Sequence, residues 1–148
     1  MSPSSPRSIR FDDDVDAHLR RYVAAHPGLS TSAATNRLVA EGLRMADHPA
    51  ITFRDGPTGR RAVVVAGPDV WEIVRAVKSA RVHEGELDGD QTIALIARNT
   101  GAAERHVRAA IRYWSQYPDE IDAQIRAADE AERDALDAWR REQGLLTA

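Results

Sequence analysis

Ser8-Ile9-Arg10-Phe11, followed directly by Asp12-Asp13-Asp14-Val15, is a short alternating run set immediately ahead of a helix start. In extended chain, successive side chains point to opposite faces, so Ile9 and Phe11 share one side while Ser8 and Arg10 share the other. A helix follows, because Val15, Leu19, Tyr22 and Val23 recur at helical spacing. Asp12 is placed to cap it, with Asp13, Asp14 and Asp16 near its positive end. Pro27-Gly28 ends that helix, and Ser30, Thr31 or Ser32 caps a second one. Leu38, Val39, Gly42 and Leu43 form its apolar side before it runs out near Asp47-His48-Pro49. A lone strand ahead of two helices has no ladder partner in its own chain, and its backbone N–H and C=O groups need one. The reading therefore predicts a homodimer in which residues 8–48 pair strand to strand, behind a flexible Ser/Pro leader over residues 1–7.

Outward from this segment the character changes. Ile51-Thr52-Phe53-Arg54 and Arg60-Arg61-Ala62-Val63-Val64-Val65, joined by Asp55-Gly56-Pro57-Thr58-Gly59, predict a β-hairpin. Gly67-Pro68-Asp69 opens a helix to about Ala80, with Val70, Ile73, Val74 and Val77 buried and Trp71 beside them. Residues 83–90 are polar and contain two glycines, which reads as a loop. Helix from Thr92 to Arg98, a break at Asn99-Thr100-Gly101, and helix from Ala102 to Gln116 then give a helix-turn-helix, so residues 50–117 form one domain. Pro118 suits a first helical turn and starts a long amphipathic helix to about Gln143, within a final region over residues 118–148. The fold class expected is mainly α with minor β.

The chain has 148 residues, 43% hydrophobic and 29% charged, which is ordinary globular material with room for one medium domain or two small ones. It has no cysteine, which removes disulfides, thiolate metal sites and thiol nucleophiles and suits a reducing compartment. No apolar run approaches the ~20 residues of a membrane span, and the Met-Ser-Pro-Ser-Ser-Pro start lacks a signal-peptide core, so a soluble cytoplasmic protein without a membrane partner is expected. The net charge of −3 is unevenly spread. Residues 1–48 carry six basic and six acidic side chains, residues 49–117 ten and eight, and residues 118–148 four and nine. The acidity belongs to the last segment.

Residues 8–48, with Ser8-Ile9-Arg10-Phe11-Asp12, a helix, then Gly28-Leu29-Ser30-Thr31-Ser32 leading into Ala33-Ala34-Thr35-Asn36-Arg37-Leu38, resemble the ribbon-helix-helix family of bacterial repressors and antitoxins, of the CopG and VapB kind. The resemblance implies a dimeric β-ribbon that enters the major groove of operator DNA with its outward residues, here Ser8 and Arg10, and with Pro6 at the third outward place. Arginine suits this role because its fork matches guanine O6 and N7, and a serine hydroxyl serves several bases. Ser30, Thr31 and Ser32 would offer helix-start amides to a DNA phosphate, although the same cluster serves as an ordinary N-cap. Residues 50–125, with the Gly-Pro-Thr-Gly hairpin, Gly67-Pro68-Asp69-Val70-Trp71-Glu72 and Tyr117-Pro118-Asp119-Glu120-Ile121, resemble a small family of helix-turn-helix antitoxin domains. Members are encoded beside a PIN-like ribonuclease toxin, in the manner of VapB with VapC. Together the two resemblances imply an antitoxin that represses its own operon as a transcriptional repressor and inhibits that toxin.

Two charged features leave alternatives open. Arg105, Arg108 and Arg112 fall at steps of three and four on one helix, opposite Val107, Ile111 and Trp114, so they form a basic stripe. That stripe makes a second DNA contact, or it is solvated and paired with nearby carboxylates, or the helix packs in a dimer. In the tail Ile121, Ile125, Ala128, Ala135 and Trp139 fall near one helical face. This face lies in a toxin's groove, where its carboxylates would compete for the RNA path, or it packs back on its own domain. A stand-alone dimeric transcriptional regulator and a protein-only dimeric adaptor are the competing functions.

Enzyme chemistry has little support. The histidines at 18, 26, 48, 83 and 106 form no HxxxH or HExxH spacing, so no metal site is expected. Gly56-Pro57-Thr58-Gly59 lacks the Lys-Ser/Thr of a phosphate loop and reads as a turn. The acidic clusters Asp12–Asp16 and Asp119–Asp122 are helix starts, which the helix dipole explains. No catalytic residue and no cofactor is expected.

Overall fold

The computed structural model describes residues 5–57 and 59–147, so the first four residues of the expected leader, Thr58 of the hairpin turn and Ala148 lie outside the described residues. Among these the chain is mainly helical, with six helices and one two-stranded antiparallel sheet. It divides into two compact units, Met1–Arg44 and Met45–Ala148. The hairpin, the helices that follow it and the acidic helix, read from sequence as a domain and a separate tail, thus belong to one unit.

In the first unit, residues 5–12 carry no strand or helix, and α1 (Asp13–Ala25) follows them. Asp12 occupies the N-cap in extended conformation, but its side chain makes no capping hydrogen bond. The contribution of the acidic cluster is therefore to the helix dipole, through Asp13, Asp14 and Asp16 in the first turn. Gly28, at φ +87°, lets the chain turn after the helix, and α2 (Thr31–Asp47) begins three residues later. Ser30 caps α2: its Oγ accepts from the Ala33 amide at 3.1 Å.

The second unit holds the main hydrophobic core. Strands β1 (Ile51–Gly56) and β2 (Gly59–Val64) pair from Ile51↔Val64 through Gly56↔Gly59. The ladder therefore runs further than the sequence reading, which assigned Asp55, Gly56 and Gly59 to the turn. Gly59, at φ +106°, closes the turn in a region that other residues avoid. Behind the sheet come α3 (Val70–His83), α4 (Gly89–Thr100), α5 (Glu104–Gln116) and α6 (Pro118–Thr147). A reciprocal cap explains why α4 starts at Gly89, ahead of the expected Thr92. The Gln91 amide donates to Asp88 Oδ1 at 2.8 Å, and the Asp88 amide donates to Gln91 Oε1 at 3.0 Å. Gly101, left-handed at φ +72°, ends α4 as the Asn99-Thr100-Gly101 break predicts.

Ile51, Val64, Val70, Ile73, Ile96, Val107, Ala110, Tyr113 and Ile121 fill the centre, with Phe53, Trp71 and Trp114 packed around it. Tyr113, fully buried, is the largest of them, and its hydroxyl donates to Glu120 Oε2 at 2.9 Å. Val107, Ile111 and Trp114 were expected on the apolar face of α5, but Tyr113 and Ala110 lie at its centre. A phenol hydroxyl hides such a residue from a hydrophobic count until an acceptor is seen beside it. No helix among the described residues is long and apolar enough to cross a membrane.

Candidate functional site

The candidate interfaces are three surfaces, each set by a different element. On the first unit, Ser8 and Arg10 are exposed, as is every residue from 5 to 10. Ile9 is 63% exposed and Phe11 half-buried, so the inward pair is only partly covered by its own chain. Arg7, Ile9 and Phe11 border a cleft whose far side is Ser32, Thr35 and Asn36, which brings the extended segment beside the start of α2. Ser30, Thr31 and Ser32 are all exposed there. With the Ala33 amide taken by Ser30, the helix start still directs the Thr31 and Ser32 amides outward.

A second, apolar cleft of about 360 Å³ lies between α1 and α2. Phe11, Val15, Leu19, Leu38 and Val39 line it, with His18, Tyr22 and Thr35 at its edges. Val39 is 52% exposed, and the buried Tyr22 hydroxyl has no hydrogen-bond partner among the described residues.

On α5 the arginine stripe divides. Arg108 Nη2 donates to Asp90 Oδ1 of α4 at 2.9 Å, an exposed pair of about 0 to 1 kcal/mol. Arg105 and Arg112 instead border a cleft of about 250 Å³ with His48, Pro49, Ala50, His106 and Ala109. The three arginines do not act as one row.

On α6 the apolar face divides along its length. Ile121 and Ile125 are buried in the unit's own core and Ala128 is half-buried, which removes them from the expected toxin-binding face. Ala135 and Trp139 remain exposed, Trp139 at 56%, together with Leu136 and Leu146. The reason for the split is a set of ion pairs with α3. Arg75 forks onto Glu132 at 2.8 and 2.6 Å and reaches Asp129 at 2.8 Å. Lys78 reaches Asp122 Oδ1 at 2.7 Å, and Trp114 Nε1 donates to the same oxygen at 2.9 Å. The Lys78 hydrogen bond lowers the Asp122 pKa below its ordinary value, against the opposing effect of desolvation. Glu132 is likewise lowered by its hydrogen bonds from Arg75, whose own pKa is raised mainly by Glu132.

These pairs also change the electrostatic picture of the tail. Residues 118–132 hold six of its nine carboxylates, whereas residues 133–148 hold three acidic and three basic side chains. The exposed half of α6 is thus balanced in charge, and its distinguishing feature is the apolar row Leu136, Trp139 and Leu146.

No group of three or more potential metal ligands is found among the described residues. No known family, no curated protein and no solved structure matches the chain.

Proposed function

We propose that the chain is a dimeric antitoxin-type regulator: its first unit pairs with a second copy and binds operator DNA, and its last helix holds a PIN-like ribonuclease. The observation that carries this reading is the apolar cleft of Phe11, Val15, Leu19, Leu38 and Val39, beside an extended segment with no strand partner. A second copy, laid antiparallel, would supply the missing ladder and cover the cleft in one step. Ser8 and Arg10 would then project as a pair of pairs from the ribbon, and the exposed starts of the two α2 helices would face phosphates.

The exposed half of α6 supports the second part. A partner's groove would take Ala135, Leu136, Trp139 and Leu146 as anchors, in the mode in which an amphipathic helix lies in an apolar groove. Because this half is balanced in charge, inhibition by apolar occlusion fits it better than competition by charge for an RNA path. A protein-only dimeric adaptor is the second reading, favoured by the six basic and six acidic side chains of residues 1–48. A stand-alone dimeric regulator is the third.

Sedimentation and co-purification test the proposal. The wild-type chain is expected to sediment as a dimer, and Val39→Asp, which places a charge in the open cleft, to sediment as a folded monomer. Helical, monomeric wild-type protein would remove the ribbon. Co-purification of the product of an adjacent reading frame, lost on Trp139→Ala, separates the antitoxin from the other two functions.

A further inference from the structure

The structure assigns a phosphate-binding site to the cleft formed by His48, Arg105, His106 and Arg112. These residues lie in one compact unit, on the segment before β1 and on one face of α5. Four cationic or potentially cationic side chains border the cleft, and no carboxylate does. Arg105 and Arg112 are two helical turns apart, about 10 Å along the axis, and the residue between them on that face is Ala109. An alanine there leaves open the space that a longer side chain would fill, so the two guanidinium groups can converge on one group seated over it.

The same arginines are free for such a ligand. Neither Arg105 nor Arg112 has an acidic partner among the described residues, while Arg108 is held aside by Asp90. By the ~100° step per residue, Glu104 falls on the Arg108 side of the helix, away from Ala109 and His106.

His48 gives the cleft a rigid wall. His48 is 5% exposed, its Nε2 donates to Gln116 Oε1 at 2.9 Å, and its ring meets those of Tyr113 and Tyr117 in edge-to-face geometry. Its Nδ1 makes no hydrogen bond among the described residues. In the tautomer that donates from Nε2, Nδ1 carries a lone pair, so His48 shapes the cleft while the donors to a ligand are the exposed Arg105 and Arg112. The group that fits is a tetrahedral dianion or diester whose oxygens accept from two arginine forks.

The source of the phosphate is either a nucleic-acid backbone or a free phosphate. Only the choice between them touches the DNA reading above, since the site itself contains nothing from residues 5–47.

Histidine ring and arginine side-chain NMR signals of the full chain, titrated with inorganic phosphate, test the site. Saturable shifts of the His48 and His106 rings are expected, weakened about ten-fold or more in Arg105→Ala/Arg112→Ala and unchanged in Arg108→Ala. Shifts that do not saturate, or that persist in the double variant, overturn the proposal.

A mixed-sequence DNA duplex forms the second arm, run in Arg10→Ala so that the first unit contributes little. Binding at the same rings about ten-fold tighter than inorganic phosphate, with a salt slope reduced by about two in the double variant, assigns the group to a nucleic-acid backbone. Duplex binding no tighter than phosphate assigns it to a free phosphate.

Discussion

At the scale of single residues, the structure separates side chains by what sits opposite them. Arg10 is exposed, and no described residue of its own unit pairs with its guanidinium. If it reads a guanine, Arg10→Ala costs about 1 to 3 kcal/mol of specific DNA binding, read by titrating a labelled operator at fixed salt. An unchanged specificity ratio excludes the role. Gly101 gives a prediction of a different kind. A Cβ there meets no atom within 4 Å, so the cost of Gly101→Ala is purely that of a left-handed φ of +72°. A loss of about 1 to 2 kcal/mol in urea unfolding is expected, with Gly101→Asn milder. Gly101 was legible in sequence because the demand for glycine is local. The destination of Arg108 was not, because Asp90 lies eighteen residues away and nothing in the periodicity of α5 points to it.

Among the elements, the Ser30 cap and the Gly101 break were readable, whereas the Asp88 cap of α4 and the docking of the helices were not. Ser30 does what a serine before a helix does, and Pro118 opens α6 where proline is tolerated. The ladder of β1 and β2 runs past the expected turn because a two-residue tip brings Asp55 opposite Arg60 and Gly56 opposite Gly59. On α6, Ile121 to Trp139 looks like one continuous face, yet Arg75 and Lys78 reach only as far as Glu132.

These contacts give the docked half of α6 a pH dependence. Asp122 and Glu132 have folded pKa values below their ordinary ones, so they bind protons less readily when docked than when free. The stabilisation is complete above the ordinary carboxylate range, near pH 4, and is lost as pH falls through the lowered values. Trp114 fluorescence, beside Asp122, is expected to report loosening of α6 below about pH 4. Lys78→Met is expected to flatten that profile. A profile identical to wild type would show that Lys78 does not set it.

At the scale of the whole molecule, the boundary of the partner-binding segment moves. A deletion from Pro118 onward would take Ile121 and Ile125 out of the core and unfold the second unit, which confuses loss of binding with loss of fold. Deleting residues 133–148 instead removes, among the described residues, only surface that the unit leaves uncovered, apart from the partly covered Gln143. The truncated protein is expected to keep its unfolding midpoint and its dimer while losing the co-purifying partner. Retention of the partner would place its binding face elsewhere.

The helices, the hairpin, the Ser30 cap and the Gly101 break were legible in the sequence, since each depends on residues a few positions apart through chain stiffness, a hydrogen-bonding side chain or a fixed period. Residues 8–11 read as a strand, but in the single chain residues 5–12 carry none, since a strand needs a second one to pair with. Only the tertiary structure decided which stretch of a continuous apolar face is buried, which arginine of a stripe is neutralised, and that His48 closes a cleft against α5. Burial and pairing are properties of what two distant segments present to each other, and no local period encodes the opposite surface.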